Sequence, residues 1–213
     1  YKQAMAQDYL QAEYQLALLE LTGDKAGIEK GKTYLRDAAF KGDVKAALTL
    51  GLLNETQDDT QLKEAKNMLM LAAVNGSGIA QFRLAEWLSR EPIKPMSIEE
   101  RQQRDKMLGD LYRGAFEHGI QEAALPLAYY EALSSNAKNR EWAMHTALSY
   151  ANQGNDEAAI LLGLMIEKES VQSHQGSAKQ WFSQAKNHPI GAFIWSNYVR
   201  DEKEKQDLLE KAA

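Results

Sequence analysis

One short pattern of small residues, two variable positions and a glycine recurs along this chain at nearly constant spacing, and a repeat of that length dictates the class of fold. It is seen at Ala38-Ala39-Phe40-Lys41-Gly42, Ala72-Ala73-Val74-Asn75-Gly76, Ala115-Phe116-Glu117-His118-Gly119 and Tyr150-Ala151-Asn152-Gln153-Gly154. Gln184-Ala185-Lys186-Asn187-His188 continues it without the glycine. Steps between the closing positions are 34, 43, 35 and 34 residues. Four residues after each closing position stands an alanine (Ala46, Ala80, Ala123, Ala158, Ala192), and Ala12 precedes them at the same spacing. Two positions later the residue is large and apolar (Tyr14, Leu48, Phe82, Leu125, Ile160, Ile194). Five positions later it is small at Ala17, Gly51, Ala85, Ala128 and Gly163, with Asn197 the exception.

Small and large residues at these offsets suit helices packed closely on their neighbours, the small residue admitting the next helix and the large one filling the space beside it. Glycine at the end of an alanine-rich stretch suits the position just past a helix C-terminus, where a left-handed backbone is needed. A second amphipathic stretch precedes each closure, as in Leu62 to Val74 and Ala143 to Ala151. Each unit therefore reads as helix A, loop, helix B, turn, and the chain as an all-α αα-solenoid of stacked helix pairs. Composition agrees. Ala and Leu number 30 and 26 among 213 residues, against 19 for Val, Ile and Thr together, so strong helix formers dominate.

The register predicts a single repeat domain over 1–213, in units 9–42, 43–76, 77–119, 120–154, 155–188 and 189–213. The third unit carries an insertion at Glu91-Pro92-Ile93-Lys94-Pro95-Met96, followed by a capping box, Ser97-Ile98-Glu99-Glu100, that starts a long helix B from about Ile98 to Glu117. Subtracting one period puts Ala4, Met5 and Asp8 in the columns of Ala38, Ala39 and Gly42, so residues 1–8 are expected to end a preceding helix B. Leu208 to Ala213 reads as a further helix B. Neither end shows a clear polar cap, and the expectation is a segment of a longer array.

Leu50-Gly51-Leu52-Leu53 and Leu162-Gly163-Leu164-Met165, with Arg36-Asp37-Ala38-Ala39-Phe40-Lys41-Gly42 and Met70-Leu71-Ala72-Ala73-Val74-Asn75-Gly76, resemble Sel1-like repeats, a family related to tetratricopeptide repeats. The resemblance covers essentially the whole chain as five recognisable units and a degenerate sixth. The family's Gly-x-Gly hairpin is replaced in most units, by Asn54-Glu55-Thr56-Gln57-Asp58-Asp59 or Ser134-Ser135-Asn136-Ala137. What the resemblance implies is a right-handed superhelix acting as a non-enzymatic adaptor for protein or peptide partners. It further implies an exported bacterial protein, periplasmic or secreted, serving the envelope or contact with host cells. A cytoplasmic location is the alternative, as is a docking regulator of a cell-wall-remodelling enzyme.

Chemical motifs are weak by comparison. Gly27-Ile28-Glu29-Lys30-Gly31-Lys32-Thr33 has three residues between its glycines where a phosphate loop needs four, and the register places Gly31 and Thr33 within helix B. Ser135-Asn136-Ala137-Lys138 matches Ser-x-x-Lys without its partner motifs. His118, His145, His174 and His188 form no zinc spacing. His118 and His188 stand two units apart, roughly 20 Å for helices stacked 8–10 Å apart. Glu141 and His145 read as a surface pair, and Asp201 to Lys205 as a solvated charge run. No catalytic residue, metal site or cofactor is nominated. With 25 basic and 30 acidic residues the chain lacks the footprint of a nucleic-acid binder, and its longest apolar run, Ala158 to Ile166, is too short to span a bilayer. Absence of cysteine excludes disulfides and thiolate chemistry.

A solenoid binds through side chains left over after packing. The third position after the helix-A alanine (Gln15, Thr49, Arg83, Pro126, Leu161, Trp195) varies too much for a core column. Arg83, Glu86, Tyr129, Trp195 and Tyr198 are the candidate partner-binding residues, of types enriched at binding hot spots. Trp87 and Tyr130 share a column with Leu19, Leu53, Met165 and Val199 and are assigned to the inter-helix core. Trp142 and Trp195 are the only support for a carbohydrate-binding module or an enzyme.

Overall fold

The structure is a computed structural model and describes residues 2–54, 59–92, 95–169 and 176–212. Twelve α-helices and one 3₁₀ turn, with no strand, are present among the described residues. A break after Ala123 divides the chain into two compact units. The first holds α1 (Lys2–Glu20), α2 (Lys25–Phe40), α3 (Val44–Asn54), α4 (Asp59–Val74), α5 (Gly78–Arg90) and α6 (Ile98–Glu117), then the 3₁₀ turn Gln121–Ala123. The second holds α7 (Ala124–Glu131), α8 (Ala137–Asn152), α9 (Asp156–Glu169), α10 (Ala178–Gln184), α11 (Pro189–Ser196) and α12 (Glu202–Ala212). Within each unit every helix packs on the next in sequence, and in the second α9 also meets α11.

The recurrent glycines close the helices as their sequence positions require. Gly42, Gly76, Gly119 and Gly154 all take φ between 85° and 101°. Each is followed by the same pair of bonds. Asp43 N–H donates to Ala38 C=O and Gly42 N–H to Ala39 C=O, and the pattern repeats at Ser77/Ala72 with Gly76/Ala73, Ile120/Ala115 with Gly119/Phe116, and Asn155/Tyr150 with Gly154/Ala151. This is the Schellman closure, which satisfies carbonyls left open at a helix end. Three of these turns at once start the next helix, because the residue after glycine is a cap: Asp43 Oδ1 accepts from Ala46 N–H, Ser77 Oγ from Ala80 N–H and Asn155 Oδ1 from Ala158 N–H. The position at 188 lacks glycine, and His188 instead caps α11 through Ile190 N–H, with Pro189 in its first turn.

Packing follows the columns. Ala46, Ala80, Ala123, Ala158 and Ala192 are fully buried. The small position five residues on lets helix B approach: a Cβ on Gly51 would stand 2.9 Å from Leu69, and one on Gly163 would stand 2.5 Å from the buried Phe182 ring. The capping box at Ser97 and Glu100 is complete in both directions, and α6 runs over the expected span. Gly31 and Thr33 lie mid-helix in α2.

Two expectations differ from what is seen. A turn was expected near Asp8, but α1 continues through it from Lys2 to Glu20; aspartate there offers no easy left-handed closure of the glycine kind. Leu161 was expected to face solvent or a groove and is buried in the second unit's core. Residues 55–58, 93–94 and His174, parts of the expected hairpin, insertion and histidine set, lie outside the described residues.

Two substitutions separate the two roles of glycine. Gly163→Ala forces a methyl into Phe182 and is expected to cost about 1–3 kcal/mol. Gly154→Ala meets no atom within 4 Å and is expected to cost about 1–2 kcal/mol through its left-handed backbone alone. Denaturant unfolding of the two variants checks both figures; an unchanged midpoint for Gly163→Ala would contradict the packing assignment.

Candidate partner-binding surfaces

The five nominated residues fall in both units. In the first, Arg83 and Glu86 share the exposed flank of α5 with Arg90. Glu86 accepts from both arginines at 3.2 Å, so its carboxylate is held between two guanidinium groups. Such ladders on an exposed helix contribute little to stability and leave charge available to a partner.

The second unit brings Trp195 and Tyr198 together and sets Tyr129 apart from them. Tyr129, 36% exposed, donates its hydroxyl to Glu157 C=O at the start of α9, at 2.9 Å. Tyr198 donates to Glu167 Oε1 near the other end of α9, at 2.6 Å. Ten residues of helix separate these anchors by about 15 Å. Trp195 stacks on Tyr198 with centroids 6.0 Å apart, Tyr198 leans on Phe182, and Lys179 Nζ sits 5.7 Å from the Trp195 ring. Trp195 Nε1 is buried and finds no acceptor among the described residues. These aromatics tie α7 and α11 to α9 and pack as much as they present.

Both phenols are held neutral well beyond their ordinary range. Burial, then the nearby Glu157 charge, pushes Tyr129 up to about 12. Donation to the Glu167 carboxylate, with burial second, pushes Tyr198 up to about 12. Groups so protonated do not serve as bases or nucleophiles at neutral pH.

The opening that sequence reasoning missed lies in the first unit, on the helix-B side. A cleft of about 540 Å³ runs between α4, α5 and α6, lined by Met70, Ala73 and Val74 of α4, Gln81, Leu84 and Leu88 of α5, and Gln103, Met107 and Leu111 of α6, with Lys106 and Asp110 at its edge. Asp110 accepts from Lys106 at 2.6 Å and from Arg113 at 3.1 Å, so the acidic group at the rim is ion-paired. Val74, Met70 and Met107 are exposed apolar side chains, Val74 at 82%. Helical periodicity sets the cleft-lining Leu84 and Leu88 on the side of α5 away from Arg83 and Glu86. Met70 and Val74 stand one turn apart on helix B, and apolar residues left exposed at that spacing were the signal that could have found the cleft. A second, polar pocket of about 280 Å³ in the other unit is lined by Ala132, Ser134, Arg140, Met165 and Lys168, with Arg140 donating to the Ser134 and Ser135 carbonyls. Among the described residues no three His, Asp or Glu side chains converge as a metal site would require, and no helix is long and apolar enough to cross a membrane.

Successive helix pairs joined by glycine closures define a helical-repeat protein. Its fold is the Sel1-like repeat fold. The protective antigen c5321 of uropathogenic Escherichia coli, which displays that fold, is 25% identical over 100% of this chain, with a TM-score of 0.52. A Sel1 repeat protein from Oxalobacter formigenes is 19% identical over 96% of this chain and 85% of its own length, with a TM-score of 0.51. The chain spans about half the length of the E. coli antigen, 47%. No protein-family model matches the chain, and no curated protein sequence does so.

The raised phenols make a signed pH dependence. A tyrosine with a raised folded pKa contributes stability that is complete below its unfolded value near 10 and is lost as pH rises towards about 12, because the unfolded chain gives up its proton first. Absorbance titration of the wild type against Tyr129→Phe and Tyr198→Phe should show two phenols ionising last. Ionisation of both near pH 10 with the exposed tyrosines would contradict the assigned bonds.

Proposed function

We propose that the chain is a non-enzymatic scaffold that holds a protein partner, with the α4–α6 cleft as its main contact. The observation that carries this reading is the cleft itself: apolar inside, ion-paired at the rim and bordered by exposed Met70, Val74 and Met107. An amphipathic helix laying an apolar stripe into a groove is the recognition mode this shape fits, and flexible methionines adapt to such a stripe. Arg83 and Glu86, on the other side of α5, and Tyr129, Trp195 and Tyr198 of the second unit lie outside the cleft and are separate candidate contacts, each unit's set standing by itself. The preformed cleft limits the ordering cost of binding.

The finer setting is that of a bacterial protein exported to the envelope or to contact with host cells, within a longer repeat array. Likeness to the protective antigen of uropathogenic E. coli, a chain about twice as long, supports it.

Affinity capture from the source cells with the wild type and with a Val74→Glu/Met107→Glu variant tests the reading. We expect one protein partner to be recovered by the wild type and lost, at least tenfold, by the variant, with the melting temperature held because both side chains are exposed. Arg83→Ala, outside the cleft, should weaken the same capture by a smaller factor. Undiminished capture by the cleft variant would contradict the cleft, and binding of glycans in place of protein would contradict the scaffold.

A further inference from the structure

The polar pocket of the second unit carries charge that helix packing does not require. Ala132 and Ser134 of the α7–α8 turn, Arg140 of α8, and Met165 and Lys168 of α9 enclose about 280 Å³, a lining with two cations and no carboxylate. Arg140 stands fourteen residues before the closing position at Gly154, and Lys168 fourteen after it. At the same offsets the other closures carry Ile28 with Thr56, Leu62 with Arg90, Asp105 with Leu133, and His174 with Glu202. Stacking of helix pairs therefore needs no cation in either column, and only around Gly154 do both columns hold Lys or Arg.

The geometry fixes one cation and leaves the other open. Arg140 Nη1 donates to Ser134 C=O at 2.8 Å and to Ser135 C=O at 3.0 Å, which uses both its hydrogens and holds the guanidinium in the pocket wall. Lys168 is exposed and forms no ion pair among the described residues. Ser134 Oγ accepts from Asn136 N–H at 3.2 Å, so its own hydroxyl hydrogen is left to donate. Ala132 and Met165 are buried and supply an apolar surface beside these groups.

We infer that this pocket binds the carboxylate of one peptide residue, whether a chain terminus or an acidic side chain, through Lys168, Arg140 and Ser134. Charge-assisted bonds from two cations and a hydroxyl suit a singly charged carboxylate. The Ser134 and Ser135 carbonyl dipoles offset part of the positive charge and so disfavour a doubly charged phosphate. Ala132 and Met165 would cover hydrocarbon next to the acid group, and inorganic phosphate has none. The volume lies just below that of a drug-sized site and admits about one residue. This site belongs to the second unit and does not depend on the α4–α6 cleft.

Nuclear magnetic resonance titration of the nitrogen-15-labelled chain with four small probes tests this. N-acetyl-leucine offers a main-chain carboxylate and the α-amide of N-acetyl-glutamate a side-chain one. N-acetyl-leucinamide has neither, and inorganic phosphate is an anion without hydrocarbon. At least one carboxylate probe should give saturable shifts of the Ser134, Ser135 and Lys168 amides below about 50 mM, the range open to so small a ligand, and the tighter of the two names the source. Lys168→Gln and Ser134→Ala should each weaken that binding about tenfold, the loss of one charge-assisted hydrogen bond, with the melting temperature unchanged. Saturable shifts with neither carboxylate probe, equal shifts with the leucinamide, or tighter binding of phosphate would overturn the inference. Binding undiminished in both variants would overturn it as well.

Discussion

Close approach of a helix A to its helix B, through a residue with little or no side chain, is the contact on which the rest of this structure depends. Gly51 receives Leu69 and Gly163 receives Phe182, with no room for a Cβ in either place. Ordinary van der Waals packing over such a contact brings whole helix faces together, and it is these faces that bury the alanine columns. The glycine turns then fix where each helix stops. A Schellman closure followed at once by an Asp, Ser or Asn cap links the two helices through three residues, so the next helix A starts in register with the last. Packing and turn chemistry specify the same spacing, and agreement between levels of that kind is what makes a sequence select one fold.

Much of this was legible before any coordinates. Ala46, Ala80, Ala123, Ala158 and Ala192 announce a buried column because five positions in register share a residue that has no other common reason to recur. Gly42, Gly76, Gly119 and Gly154 announce left-handed closures for the same reason. Ser97 and Glu100 form a local motif whose bonds need only a helix start, and α6 begins there. The register misread the chain where it had to be extrapolated. Asp8 occupies a closing position without the residue that makes closure cheap, and the helix runs on through it. Leu161 shares a column with variable, partly polar residues, yet its surroundings in the second unit bury it.

The surface was harder to read than the core, and for a physical reason. A core position is reported by recurrence, whereas a cleft is made by the gap between helices distant in sequence. Arg83 and Glu86 were visible as candidate contacts, but the cleft opens on the other side of α5, and its lining of Leu, Met and Ala resembles ordinary core in sequence. Tyr129 and Tyr198 stood out as binding types, and the structure gives each a bond to α9. Side chains that look like leftovers can be fastenings, while the residues that remain exposed, Val74 and Met107 among them, drew no notice because nothing in their chemistry is specific.

The central claim is that four glycine closures of one hydrogen-bonding pattern end their helices, and native-state hydrogen exchange reads it at single amides. The account predicts that the N–H groups of Asp43, Ser77, Ile120 and Asn155, which donate back across each turn, are protected to a degree approaching that of the adjoining buried helices. Exchange of these four amides at the rate of open, solvent-exposed loops would contradict it.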